Sequence, residues 1–220
     1  MNRTDAATRV ALLTQSRFPG LWRLFQYWIG GTVDKRSLCL LEYDGQERVL
    51  EVGCSLGNIA RAFLKLDHVK YTGIDIDPVV IEYARRSFAP HKNFKFVCED
   101  LGEFSKREAE FGYVLFAGVG HHLDDEMCQS LLASARRMLE PRGRLVVVDP
   151  LLPRDEDSWF LHQFVRLEQG RYLRTGAALR DLLEGVPGLA LHGAQEHLIG
   201  SSPFHRPTCA RIGVYTLGPR

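Results

Sequence analysis

The stretch from Arg48 to Asp77, RVLEVGCSLGNIARAFLKLDHVKYTGIDID, constrains the fold more than any other part of this 220-residue chain. An apolar strand carrying Val49, Leu50 and Val52 runs into Gly53-Cys54-Ser55-Leu56-Gly57, where the backbone must turn sharply and pass close to a ligand. Glycine permits both. The apolar spacing that follows predicts a helix near 57–66 and a second strand near 69–74. Asp75 then falls 22 residues after Gly53, at the end of that strand, where a carboxylate can accept both hydroxyls of a ribose. Strand, glycine turn, helix, strand and acid together predict a nucleoside site.

A dinucleotide site wants glycine at positions one, three and six of the turn, and here those are Gly53, Ser55 and Asn58. That disfavours an NAD-dependent dehydrogenase. Read as E-x-G-x-G-x-G, the run supplies Glu51, Gly53, Ser55 and Gly57 with one substitution, and in this it resembles the class I S-adenosylmethionine (SAM) methyltransferases. The resemblance continues in order over about a hundred residues. GIDIDP (Gly73 to Pro78) looks like the second motif of that family, FVCEDL (Phe96 to Leu101) like the third, FGYVLFAGVGHHLDD like the fourth strand with its active-site exit, and MLEPRGRLVVVDP like the passage into the fifth strand. The subgroup it is most similar to is the small-molecule methyltransferases of the ubiquinone and menaquinone type. Ser55 and Arg142 depart from the pattern, each replacing a glycine.

The resemblance implies a Rossmann-like, doubly wound, mostly parallel α/β sheet with an antiparallel last strand, binding SAM and releasing S-adenosylhomocysteine (SAH). Carried onto this chain, it places Glu51, Gly53, Cys54, Ser55 and Gly57 around the amino-acid end of the cofactor. Asp75 and Ile76 fall at the ribose, Asp100 and Leu101 at the adenine, and Ala117 at the end of the fourth strand.

Length fits one domain. With 28 Lys and Arg against 27 Asp and Glu, a net charge of +1 gives no reason to expect nucleic acid as a partner. Five widely spaced cysteines without a Cys-x-x-Cys pair argue against a disulfide framework or a zinc knuckle and predict a reducing, cytoplasmic setting. Neither a secretory leader nor an apolar run of about 18 residues is expected, so no membrane span is predicted. The oligomeric state, monomer or homodimer, is left open.

Residues 1–45 are expected to form a helical cap or lid, 46–150 the SAM-binding core, and 151–220 the substrate-side helices and a terminal strand pair. The cap holds the aromatic run FPGLWRLFQYWIGG, ending at Gly30-Gly31, with Lys35 or Arg36 a candidate neighbour of the methionine carboxylate. Core strands are expected near 48–52, 69–74, 94–98, 111–116 and 143–149, and helices near 77–88 and 124–139. Asp155 to Glu168 and Thr175 to Leu183 read as further helices, and Leu189 to Leu217 as two strands.

Methyl transfer to a hydroxyl needs an aligned nucleophile and a base that takes its proton. His121 and His122 follow the fourth strand, at the carboxyl edge where open α/β sheets bind ligands, and are the candidate catalytic residues. His121 is read as base or substrate orienter, with His122 held against Asp124 or Asp125. The alternative for the pair is a structural turn into the next helix, and a separate rival for the whole protein is a SAM-binding regulatory protein without catalysis. No metal is expected, because this His and Asp spacing matches no settled ligand set. His162, Arg166, Arg171, Tyr172, Arg174, His205 and Arg206 form a reserve of polar residues for a small-molecule acceptor.

Overall fold

A computed structural model describes residues 18–28, 32–107, 110–167, 170–201 and 205–220. Seven strands form one sheet: β1 (Arg48–Val52), β2 (Lys70–Asp75), β3 (Phe94–Cys98), β4 (Phe111–Ala117), β5 (Leu139–Leu151), β6 (Leu189–Gly200) and β7 (Thr208–Pro219). Their order is β3-β2-β1-β4-β5-β7-β6. The chain winds outward from β1 to β3, then returns to lay β4 on the other side of β1, so the winding reverses between β1 and β4. Ligands of doubly wound sheets bind at that reversal, beyond the carboxyl ends of the strands.

The first five strands are parallel, and β7 pairs antiparallel with both β5 and β6. The last strand in sequence is the antiparallel one, as expected, but it lies one place in from the edge. The edge belongs to β6, half-buried along most of its length, whereas β7 is buried nearly throughout.

Along β4, Val114 and Phe116 join one apolar cluster while Tyr113 and Leu115 join the other. Successive side chains of a strand point to opposite faces, so a strand covered on both faces reads as a continuous apolar run. One face is covered by α4 (Leu101–Phe104), α5 (Asp125–Arg137) and α7 (Gly176–Glu184). The other carries α2 (Thr32–Cys39), α3 (Pro78–Ser87) and a 3-10 turn at Ala60–Phe63. The described helices end with α1 (Pro19–Trp28) and α6 (Trp159–Leu167). Asp77, Asp124 and Thr175 each cap the helix that follows, accepting from the backbone N–H of Val79, Met127 and Ala178.

Two expected elements differ. The helix predicted over 57–66 is instead a series of turns around the 3-10 segment, with Gly57 N–H bonded to Cys54 C=O, Ala62 to Ile59 and Leu66 to Phe63. The buried residues Leu56, Ile59, Ala60 and Phe63 share one face under either winding, so the apolar pattern does not choose between them. The helix expected from Asp155 begins at Trp159, because Asp157 folds its side chain back to accept from Arg154 N–H and to pair with Arg211.

In the expected cap, α1 and α2 are helical, while Gly30 and Gly31 lie outside the described residues. The second helix is tied to the core. Asp34 accepts from Gly200 N–H at 3.1 Å and pairs with His205 at 2.6 Å, and Tyr113 donates its hydroxyl to Cys39 C=O at 2.7 Å.

Candidate active site

The glycine turn is built from three left-handed residues: Gly53 at φ +70°, Ser55 at +48° and Gly57 at +73°. At Gly53 a side chain has no room, since a Cβ there would come 2.7 Å from Val119 Cγ2. The turn therefore packs directly on the segment leaving β4. Ser55 stands where the family pattern has glycine, and a left-handed L-residue costs about 1–2 kcal/mol. Its N–H offsets part of that by donating to Asp75 Oδ2 at 2.9 Å. Asp77 N–H donates to the other oxygen, Oδ1, at 3.0 Å. Asp75 thus braces the turn and the start of α3 while each oxygen keeps a second lone pair for a ligand.

Glu51 is buried on β1 and accepts the Tyr71 hydroxyl. Burial pushes its carboxyl well above the usual range, and the nearby charge of Asp75 pushes it the same way. Asp75 is also raised, by burial, against the backbone N–H groups that favour its charged form. Two partly desolvated carboxylates under one glycine turn favour a cationic ligand.

The other sequence-predicted residues lie at or just beyond the carboxyl ends of β1 to β4. Cys54 is buried inside the turn, Ala117 closes β4, and Ile76 is 66% exposed just past Asp75. Asp100 is exposed and caps α4, accepting from Gly102 N–H at 2.7 Å, with Leu101 buried behind it.

His121 lies in a 3-10 turn, Gly120–His122, only 5% exposed. Its Nδ1 is 2.9 Å from Oδ1 of Asp149, which is itself buried at the carboxyl end of β5. An ionised carboxylate only accepts, so Nδ1–H donates to it and Nε2 becomes the proton-accepting nitrogen. Gly170 forms a wall against the ring, where a Cβ would come 2.1 Å from His121 Cδ2, and Tyr172 N–H donates to His121 C=O at 3.0 Å. His122 points outward and is exposed, its ring 4.0 Å from that of His121. The acid that holds His121 is Asp149. Asp124 caps α5 and Asp125 pairs with Arg174 at 2.7 Å.

Asp149 and Arg174 carry roles that the sequence did not assign. Arg174 donates to the carbonyls of Gly120, Leu123 and Tyr172 at 2.8–3.0 Å, clamping the His121 turn rather than facing a substrate. Asp149 had a signal, a lone acid ending the apolar run Leu145 to Val148. Arg174 had none, since its partners on the His121 turn, the carbonyls of Gly120 and Leu123, lie about fifty residues away in the chain. His205 is engaged by Asp34, and Arg166 is exposed on α6. Among the described residues no group of three or more His, Cys, Asp and Glu is arranged to hold a metal, and no helix is long and apolar enough to cross a membrane.

Residues 49–143 match the family model described as "Methyltransferase domain". A demethylmenaquinone methyltransferase from Chlorobaculum tepidum is 26% identical over 121 residues, 55% of this chain and 48% of that protein. The 3-amino-4-hydroxybenzoate 4-O-methyltransferase of Streptomyces cremeus is 31% identical over 150 residues, 65% of this chain and 40% of that one. Among solved structures, the O-methyltransferase NcsB1 from neocarzinostatin biosynthesis, in complex with SAH and 1,4-dihydroxy-2-naphthoic acid, superposes with a TM-score of 0.61 at 18% identity. The match covers 87% of this chain and 57% of that one. The chain spans about half the length of the curated relatives it matches. The fold and the glycine turn define a nucleoside-binding α/β protein. With these likenesses, residues 49–143 are similar to the methyltransferase domain of class I SAM-dependent enzymes, and the relatives named include a quinone-type and a small-molecule O-methyltransferase.

The family's cofactor is SAM, and the residues present fit it. The turn has no phosphate-binding glycine pattern, the lone pairs of Asp75 suit ribose hydroxyls, and Glu51 with Asp75 suits a ligand bearing positive charge.

Proposed function

We propose that this protein transfers the methyl group of SAM to a hydroxyl oxygen of a small-molecule acceptor, with His121 as general base and Asp149 as its positioning residue. The observation that carries this reading is the buried His121–Asp149 pair at the exit of β4, beside a turn that packs on Val119. Held at the turn by Gly53 to Gly57 and Asp75, SAM would supply an electrophilic methyl group, with the sulfur of SAH as the leaving group.

The chain's own residues position and deprotonate. Gly53 to Gly57, Asp75 and Asp100 hold the cofactor. Asp149 fixes the His121 tautomer so that Nε2 takes the hydroxyl proton as the oxygen attacks, then passes it to water. Arg174 keeps the histidine turn rigid through its three carbonyl bonds, and the wall at Gly170 shields the ring from solvent. The helices α1 and α2 act as a cover on the cofactor turn, where Arg36 Nε donates to Asn58 C=O at 2.6 Å.

The names of two similar proteins support an oxygen acceptor, one a 4-O-methyltransferase of an aminohydroxybenzoate and one an O-methyltransferase in complex with a dihydroxynaphthoic acid. The test is methyl transfer from radiolabelled SAM to a panel of phenols, anilines and quinols. Label recovered as a methyl ether, lost in His121→Ala, supports the reading. SAH binding without transfer to any acceptor would make the protein a regulatory binder, and label on carbon or nitrogen would move it to a different acceptor class.

A further inference from the structure

A cleft lies beside the cofactor turn, between α1, α2 and the start of the 57–66 turns, with a volume of about 410 Å³. Three of its lining residues are arginines, Arg23, Arg36 and Arg61, and no acid is among the described residues that line it. All three are partly buried. Burial holds the Arg36 and Arg61 guanidiniums below their ordinary range, and in each case neighbouring arginines push further in that direction. Among the described residues no carboxylate acts on either arginine.

Guanidiniums are normally solvated or paired with carboxylates, and gathering three against one another is unfavourable without an anion. Their other contacts do not neutralise them. Arg61 stacks on the Phe88 ring at 5.1 Å and Arg23 on Tyr83 at 6.0 Å, and Arg36 donates only to a backbone carbonyl. Stacking fixes each fork in place and leaves N–H donors for a planar oxyanion. A further polar atom is also unmatched, since Asn58 Oδ1 is buried in the cleft wall without a hydrogen-bond partner. Leu24 and Tyr27 add apolar surface, so the cleft suits an organic body bearing an anionic group and a donor such as a hydroxyl.

We propose that this arginine cleft is the specificity site for the acceptor, selecting a small hydroxylated molecule that carries a carboxylate or a phosphate monoester. The inference rests on the methyltransferase reading above and names the acceptor's charge class. Placement beside Asn58, the residue directly after Gly57, puts the anionic end next to the cofactor turn. Three guanidiniums exceed what the single carboxylate of SAM requires, which leaves charge for the acceptor.

The experiment is calorimetric titration of the full chain, saturated with SAH, with 4-hydroxybenzoate, with its uncharged methyl ester, and with 4-hydroxyphenyl phosphate. The expected result is that at least one anion binds ten-fold or more tighter than the ester. That preference should collapse in Arg23→Gln/Arg61→Gln, which keeps the Arg36–Asn58 bond, while SAH affinity changes less than three-fold. Circular dichroism and thermal unfolding of the variant confirm that it is folded, and the single Arg61→Gln substitution serves if the pair is not. Equal binding of ester and anions, or no binding of either anion, overturns the inference. So does a parallel fall in SAH affinity, which would give the arginines to the cofactor. Failure of the wild type to bind SAH overturns the methyltransferase reading instead, so the two failures are distinguishable.

Discussion

His121 Nδ1 lies 2.9 Å from Asp149 Oδ1, and both side chains are buried where the carboxyl ends of β4 and β5 meet. A bond of this kind orients an imidazole and favours its charged form once it has taken a proton. His121→Ala is expected to lower the turnover rate about 10²- to 10⁴-fold, the usual worth of a general base. Asp149→Asn is expected to lower it less, and His122→Ala to leave it within a few-fold. Steady-state kinetics with titration of SAH checks this, since loss of a base should leave cofactor affinity intact.

Glu51 is held well above the usual carboxylate range by burial and by Asp75. A carboxyl whose folded-state pKa is raised contributes stability that is fully present below its unfolded value and lost as pH rises through the folded one. Glu51→Gln keeps an acceptor for the Tyr71 hydroxyl and removes the charge. The variant without cofactor should therefore gain in thermal midpoint over wild type as pH rises, and the gain should shrink with SAM bound, because a cation stabilises the ionised Glu51. A pH-independent difference would contradict this.

Asp157 behaves in the opposite sense. The Arg211 guanidinium and the Arg154 N–H hold its carboxyl below the ordinary value, and the Arg211–Asp157 pair is nearly inaccessible to solvent. Its contribution is present above the unfolded carboxylate pKa of about 3.9 and is lost as pH falls through the lowered value. Asp157→Asn should cost about 1.5–3 kcal/mol near neutral pH, because Glu196 still pairs with Arg211 at 3.0 Å. Urea unfolding at pH 7 and in acid checks it, with the difference from wild type narrowing in acid.

Sequence showed the parallel core and pointed to candidate cofactor residues because both readings rest on local rules. A strand covered on both faces must be continuously apolar, and a turn that approaches a ligand must contain glycine. Asp75 was readable from its distance to Gly53 alone. The roles of Asp149 and Arg174 rest on contacts with residues 28 and about 50 positions away, which no local pattern encodes. The winding of 57–66 was missed because Leu56, Ile59, Ala60 and Phe63 bury the same face with i+3 or i+4 bonds. The arginine cleft was hidden for the first of these reasons, with Arg23, Arg36 and Arg61 coming from three separate elements. Only Arg36 had been marked, by its place after the aromatic helix.

The central claim is that the turn at Gly53 and the acid at Asp75 form a SAM site, and calorimetric titration of SAM and SAH into wild type and Asp75→Ala tests it most directly. Asp75→Ala removes the acceptor for two ribose hydroxyls and releases the brace on Ser55 N–H. A loss of about 1.5–3 kcal/mol corresponds to a fall in affinity of roughly ten to several hundred fold. The account predicts saturable wild-type binding of both ligands and a fall of that size in the variant. Wild-type protein that binds neither ligand, or an Asp75→Ala protein that binds them as tightly as wild type, would contradict it.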